Sequence, residues 1–74
     1  MLAPYLLKFS SLTGADLQQA LLNKADFTCA NFNNANLTKA DFTQTIISSA
    51  TFINTITTDV LNYDSVIDEK VACG

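Results

Sequence analysis

Large apolar residues recur along this chain at every fifth position: Leu12, Leu17, Leu22, Phe27, Phe32, Leu37, Phe42, Ile47 and Phe52, with Leu2 and Leu7 in the same phase. Two positions ahead of them stand Ser10, Ala15, Ala20, Ala25, Ala30, Ala35, Ala40, Thr45 and Ala50, nearly all small. A helix advances about 100° per residue, so a step of five scatters these side chains around the cylinder. A straight strand alternates faces with period two, so the same step throws successive large residues to opposite sides. The pattern becomes coherent if three residues are extended and the next two turn a corner. The small and the large residue of each unit then share one face, and every large residue points to a common axis.

A chain that keeps turning the same way closes into coils, and stacked coils hydrogen-bond along the axis at roughly the 4.8 Å spacing of paired strands. The period alone predicts an all-β solenoid and leaves the number of sides per coil open. The units ADLQQ, ADFTC, ANFNN, ANLTK and ADFTQ resemble those of the pentapeptide-repeat family. That resemblance implies a right-handed, four-sided parallel β-helix with twenty residues per coil, here about three coils, and many such proteins come from cyanobacteria. The inward columns then become Leu12–Phe32–Phe52, Leu17–Leu37, Leu22–Phe42 and Phe27–Ile47. Alanine suits the position two ahead, because four converging sides leave little room and a larger group would overpack the axis. Thr45 and Thr55 depart from this rule, and their inward hydroxyls are expected to hydrogen-bond to nearby backbone. Asp16, Asp26, Asn31, Asn36 and Asp41, one position ahead of the large residue, are expected to face solvent and to satisfy turn amides.

The register weakens after Phe52, with Thr57 and Asn62 at the next large positions. Val60, Tyr63, Ile67 and Val71 follow a rough helical spacing, with Thr58 or Asp59 as N-cap, which predicts a short capping helix over 59–71. A cap is needed because the last coil otherwise exposes unpaired edges and an open core. The expected organisation is an N-terminal cap or imperfect first coil over 1–9, the β-helix over 10–57, and a C-terminal cap and tail over 58–74. Pro4 and Tyr5 fit the repeat poorly, so the N-terminal end is the one expected to be incompletely sealed.

Composition narrows the chemistry. With 74 residues, a net charge of −3, four lysines and no histidine, the chain lacks the clustered cations of a nucleic-acid binder and the ligand set of a zinc site. No glycine-rich phosphate loop and no spaced carboxylate pair is present, so no catalytic, metal or cofactor site is expected. No apolar run approaches the eighteen or so residues of a membrane span. The start MLAPYLLKFSSL lacks a basic leader and reads as part of the fold. Cys29 and Cys73 belong to no CxxC pair, so reduced thiols and a cytoplasmic setting are expected, with Cys29 near a corner and reactive towards a maleimide.

What remains is surface. Leu21, Ile46, Ile53 and Ile56 occupy outward positions that elsewhere carry polar residues, and Leu2, Leu7 and Phe9 lie at the N-terminal end. These seven form the candidate interface, unless the C-terminal segment packs on the outward isoleucines. The expected function is a non-enzymatic structural or interaction module that docks to a protein or stacks end to end with a second copy. The alternative implied by the resemblance is a DNA mimic that binds type II topoisomerases such as gyrase. Against it, residues 10–57 hold three Asp and two Lys, while Asp59, Asp64, Asp68 and Glu69 fall in the tail.

Overall fold

The computed structural model describes residues 7–74. Its backbone repeats one five-residue gesture. From Phe9 to Asp59 every fifth residue lies in the left-handed region, with φ between 54° and 70°. The residue just before it is at negative φ, which is the sign pattern of a type II turn. Every turn but that of Phe52–Thr55 is closed by a hydrogen bond across four residues, such as Ala15 N–H to Leu12 O at 3.0 Å and Ala35 N–H to Phe32 O at 3.0 Å. Only Gly14 (φ 70°) adopts this conformation without a Cβ penalty, while Gln19, Lys24, Cys29, Lys39 and Gln44 all carry side chains there. The stacking of turns holds these residues where an isolated chain would not.

Between corners, the outward residue of each unit pairs in parallel with the one twenty residues on: Ser11 with Asn31, Asp16 with Asn36, Leu21 with Asp41 and Asp26 with Ile46. The same register carries Asn31 to Thr51, Asn36 to Ile56 and Asp41 to Leu61. Four bridge positions therefore occur in each run of twenty residues. Every bridge is isolated, because a side is only about three residues long, below the length at which continuous strands form. The chain is a β-helical solenoid made of corners and single bridges.

The side-chain oxygens of the outward Asp and Asn reinforce the corners. Oδ1 of Asp26, Asn36 and Asp41 accepts the backbone N–H two residues on at 3.0–3.1 Å and the hydroxyl of that same threonine at 2.6 Å. This explains the unit's spelling, in which Asp or Asn stands before the large residue and Thr after it: the pair satisfies the turn amide locally.

Burial follows position along the axis. Leu22, Ala25, Phe27, Ala30, Phe32, Ala35, Leu37, Ala40, Phe42 and Ile47 are buried. Leu12, Leu17, Ala20, Ala50 and Phe52 are only partly buried against that core, and Ala15 is also intermediate. The middle turn is thus sealed by its neighbours, whereas an end turn has a neighbour on one side only. Thr45 is fully buried, and its hydroxyl donates to Leu22 O of the preceding turn at 2.8 Å. Thr55 does the same to Phe32 O at 2.7 Å. Both bonds run to the preceding turn, which corrects the expectation of a local backbone partner.

The C-terminal segment corrects two further expectations. The helix over 59–71 is absent, and the one helical element among the described residues is the 3₁₀ turn Tyr63–Ser65. Nor does the coil stop at 57. Val60 holds the small-residue position, Leu61 N–H donates to Ala40 O at 2.9 Å, and Ile67 pairs with Ile46. The register there is twenty-one rather than twenty, because Asn62 adopts φ 58° two residues early and the 3₁₀ turn inserts a residue. Tyr63 thereby comes to stand over Phe42, with ring centroids 6.0 Å apart. At the other end the repeat is already running at Leu7, whose N–H donates to Asp26 O at 2.8 Å. The cap expected over 1–9 falls mostly outside the described residues, as does Leu2.

Candidate docking interface

The hydrogen-bonded turns stop on two sides at the C-terminal end, as they do at the N-terminal turn, where the amides of Ser11 and Asp16 find no acceptor among the described residues. One turn before the C-terminal end, the amides of Phe32, Asn34, Leu37 and Lys39 donate to Thr51, Ile53, Ile56 and Thr58 at 2.7–3.0 Å. Their counterparts, the amides of Phe52, Asn54, Thr57 and Asp59, find no acceptor among the described residues. Likewise the carbonyls of Ala30 and Ala35 accept Thr51 and Ile56 N–H, while those of Ala50 and Thr55 accept no backbone N–H. Two adjacent sides of the last turn are therefore open edges.

Above these edges lies a cavity of about 300 Å³ lined by Phe52, Thr55, Thr57, Val60 and Tyr63. It is the unfilled continuation of the core, since Phe52, Thr55 and Val60 all occupy inward positions. The Tyr63 hydroxyl has its pKa raised by burial and by the charge of Asp68. Asp68 in turn lies 3.6 Å from Lys70 Nζ.

The expected interface residues are dispersed. Phe9 is 63% exposed, Ile53 61%, Ile56 49% and Leu21 45%, so all four remain surface. Leu7 packs partly against the core. Ile46 is half-buried and paired with Ile67, so the C-terminal segment covers one of the outward isoleucines and leaves Ile53 and Ile56 bare. Leu61, Tyr63, Ile67 and Val71 join them as exposed apolar residues. Among the described residues, the exposed apolar side chains therefore gather mostly at the C-terminal end.

Residues 66–73 begin a further turn on one side only. Ile47 N–H donates to Ile67 O at 2.8 Å and Ile67 N–H to Thr45 O at 2.9 Å. Beyond that the ties are side-chain mediated: Glu69 N–H to Ser48 Oγ at 3.0 Å, Val71 N–H to Ser49 Oγ at 2.8 Å, and Ser49 Oγ to Val71 O at 2.9 Å. Ser48 is itself buried, with 3% exposure. The tail then crosses the last turn, and Cys73 joins Cys29 in a disulfide with Cα atoms 5.8 Å apart. This overturns the expectation of two reduced thiols and of a maleimide-reactive Cys29. The pairing escaped the sequence because the partners are 44 residues apart and the inserted residue after Asn62 breaks the count. In chain-entropy terms a loop of that size contributes about 4 kcal/mol, which matters to a domain too small to bury much surface.

These features define a β-solenoid with a stapled, partly open C-terminal end. A model of pentapeptide repeats matches residues 7–44 and 25–56 with eight copies, and the chain belongs to that family. Neither the curated proteins nor the solved structures gave a match. No helix among the described residues is long and apolar enough to cross a membrane, and no group of three or more metal-ligating side chains is found among them.

Proposed function

We propose that this protein is a non-enzymatic interaction module, a right-handed, four-sided rod of about three coils that docks coaxially through its C-terminal end. The observation that carries this is the pair of open sides on the last turn. The unpaired donors Phe52 and Asn54 lie on one side, Thr57 and Asp59 on the next. A straight strand could satisfy one side but would run off at the corner. Only a partner that also turns every five residues could meet both and fill the space over Phe52, Thr55 and Val60. Such a partner is a second copy of this chain or another pentapeptide coil. The desolvated centre of the contact would be the apolar space over Phe52, Val60 and Tyr63, with the outward Ile53 and Ile56 at its border.

The setting follows from the disulfide. The cytoplasmic placement expected from free thiols gives way, in this reading, to a compartment oxidising enough to keep Cys29 and Cys73 joined. Sedimentation velocity over a concentration series tests the association. The protein should dimerise or add to a repeat partner, and Ile53→Lys with Ile56→Lys should yield a folded monomer. A protein that is monomeric at millimolar concentration and binds no other coil would defeat the proposal.

A further inference from the structure

We infer that the Cys29–Cys73 disulfide is a redox latch that holds residues 68–74 over one corner of the open end and so controls how much of that end is available. The inference deepens the docking function above and rests on it for its consequence, though not for its mechanism.

The chain divides at Ile67. Up to that residue the segment is tied by backbone bonds to Ile47 and Thr45, and Val66 packs against the core. After it, every residue from Asp68 to Gly74 is exposed. No buried apolar side chain anchors this stretch, and its contacts to the body are the hydrogen bonds of Ser48 and Ser49 and the disulfide. Three such bonds, only the one to Ser48 part-buried, do not hold a segment of that length against its conformational freedom. The covalent bond is what keeps the tail in place.

Ser48 and Ser49 stand at the corner that immediately precedes the open side of Phe52 and Asn54. With the tail in place, their hydroxyls are engaged by Glu69 and Val71. With the tail released, that corner is added to the two open sides, while Ile67 stays on the side of Thr45 and Ile47.

The chemistry is thiol–disulfide exchange with a dithiol reductant. One thiolate attacks Sγ of the exposed Cys73, forming a mixed disulfide and expelling the Cys29 thiolate, which takes up a proton. The second thiol of the reductant, as its thiolate, then attacks the mixed disulfide, releasing the Cys73 thiolate, which is protonated in turn. Two electrons pass from the reductant, which leaves as a disulfide.

Hydrogen exchange on the full chain, oxidised and then reduced with dithiothreitol and alkylated, tests the latch. On reduction, exchange at Glu69 and Val71 should rise about tenfold or more and become independent of denaturant, the mark of local opening, while Ile47, Ile67 and the middle-turn amides of Phe32 and Leu37 lose only the global stability the cross-link contributed and stay far better protected than the tail. Cys73→Ser should behave as the reduced form without any reductant, and Ser49→Ala in the oxidised protein, which removes the acceptor of the Val71 amide, should leave Glu69 protected. Unchanged exchange at Glu69 and Val71 would overturn the latch, as would tail exchange in the reduced protein that still followed Phe32 and Leu37 across denaturant, which would mean that the tail opens only with the whole fold. Sedimentation of both forms reads the consequence: the reduced protein should associate more tightly. Tail release with unaltered dimerisation would overturn the gating, and a monomer in both states would instead defeat the docking function while the latch stood.

Discussion

The rings of Phe32 and Phe52 stack one turn apart, centroids 5.0 Å from each other and planes within 6°, while Phe27 meets Phe32 edge-on at 4.9 Å and 71°. Phe32 is the hinge of this arrangement: it is fully buried, whereas Phe52 above it is only partly so. Truncation should therefore cost different amounts at two positions of one column. Phe32→Ala should destabilise by about 3–5 kcal/mol, and Phe52→Ala by clearly less. Phe32→Asp should abolish folding, because the carboxylate would have neither water nor partner. Urea unfolding followed by circular dichroism measures all three, and equal losses at Phe32 and Phe52 would contradict the axial gradient of burial.

The corners make a separate prediction. Lys39 sits at φ 60°, where a Cβ costs roughly 1–2 kcal/mol. Replacing it with glycine removes that cost but adds backbone freedom to the unfolded chain, about 0.5–1 kcal/mol. Lys39→Gly should thus raise the melting temperature modestly, and Lys39→Val should lower it, since a β-branched residue tolerates this region worst. Thermal melts of the two variants should move in opposite directions.

Asp41 gives the solenoid an acid-sensitive corner. Hydrogen bonds from the Thr43 hydroxyl and backbone N–H, outweighing the opposing effect of burial and helped by Asn62, hold its pKa below the usual carboxylate value. A depressed folded-state pKa contributes stability that is present above the ordinary value near 4 and is lost as pH falls through the folded value. Asp41→Asn keeps an acceptor in the same place, as Asn36 shows at its own corner with Thr38 Oγ1 at 2.6 Å. The variant should be close to the parent in stability near pH 2 and somewhat less stable at pH 7. A parent and variant with parallel stability profiles from pH 2 to 7 would remove Asp41 from this role.

Much of the interior was legible because it is dictated by period. Nine large residues at a step of five admit one kind of backbone, and the small residues ahead of them mark the same face. The C-terminal end was legible only in part. A single extra residue after Asn62 shifts the register from twenty to twenty-one, so Val60, Tyr63, Ile67 and Val71 mimic a helical spacing while the chain in fact continues its turns. The disulfide depends on that shift and on a tail that climbs back across a turn, neither of which local spacing encodes. Exposure of Ile53 and Ile56 was readable from their outward phase, but the two open sides of the last turn depend on where the hydrogen-bonded turns run out.

The central claim is that the last turn is a working edge, and its own amides report on it. Hydrogen exchange should be followed at Asn54, Thr57 and Asp59 as the protein concentration is raised from micromolar to millimolar, with Asn34, Leu37 and Lys39 one turn earlier as internal controls. The account predicts that the first three gain protection with concentration, in step with dimer formation, while the controls stay constant. If the protein associates and those three amides exchange as fast as before, the contact lies elsewhere and coaxial docking through this end is wrong.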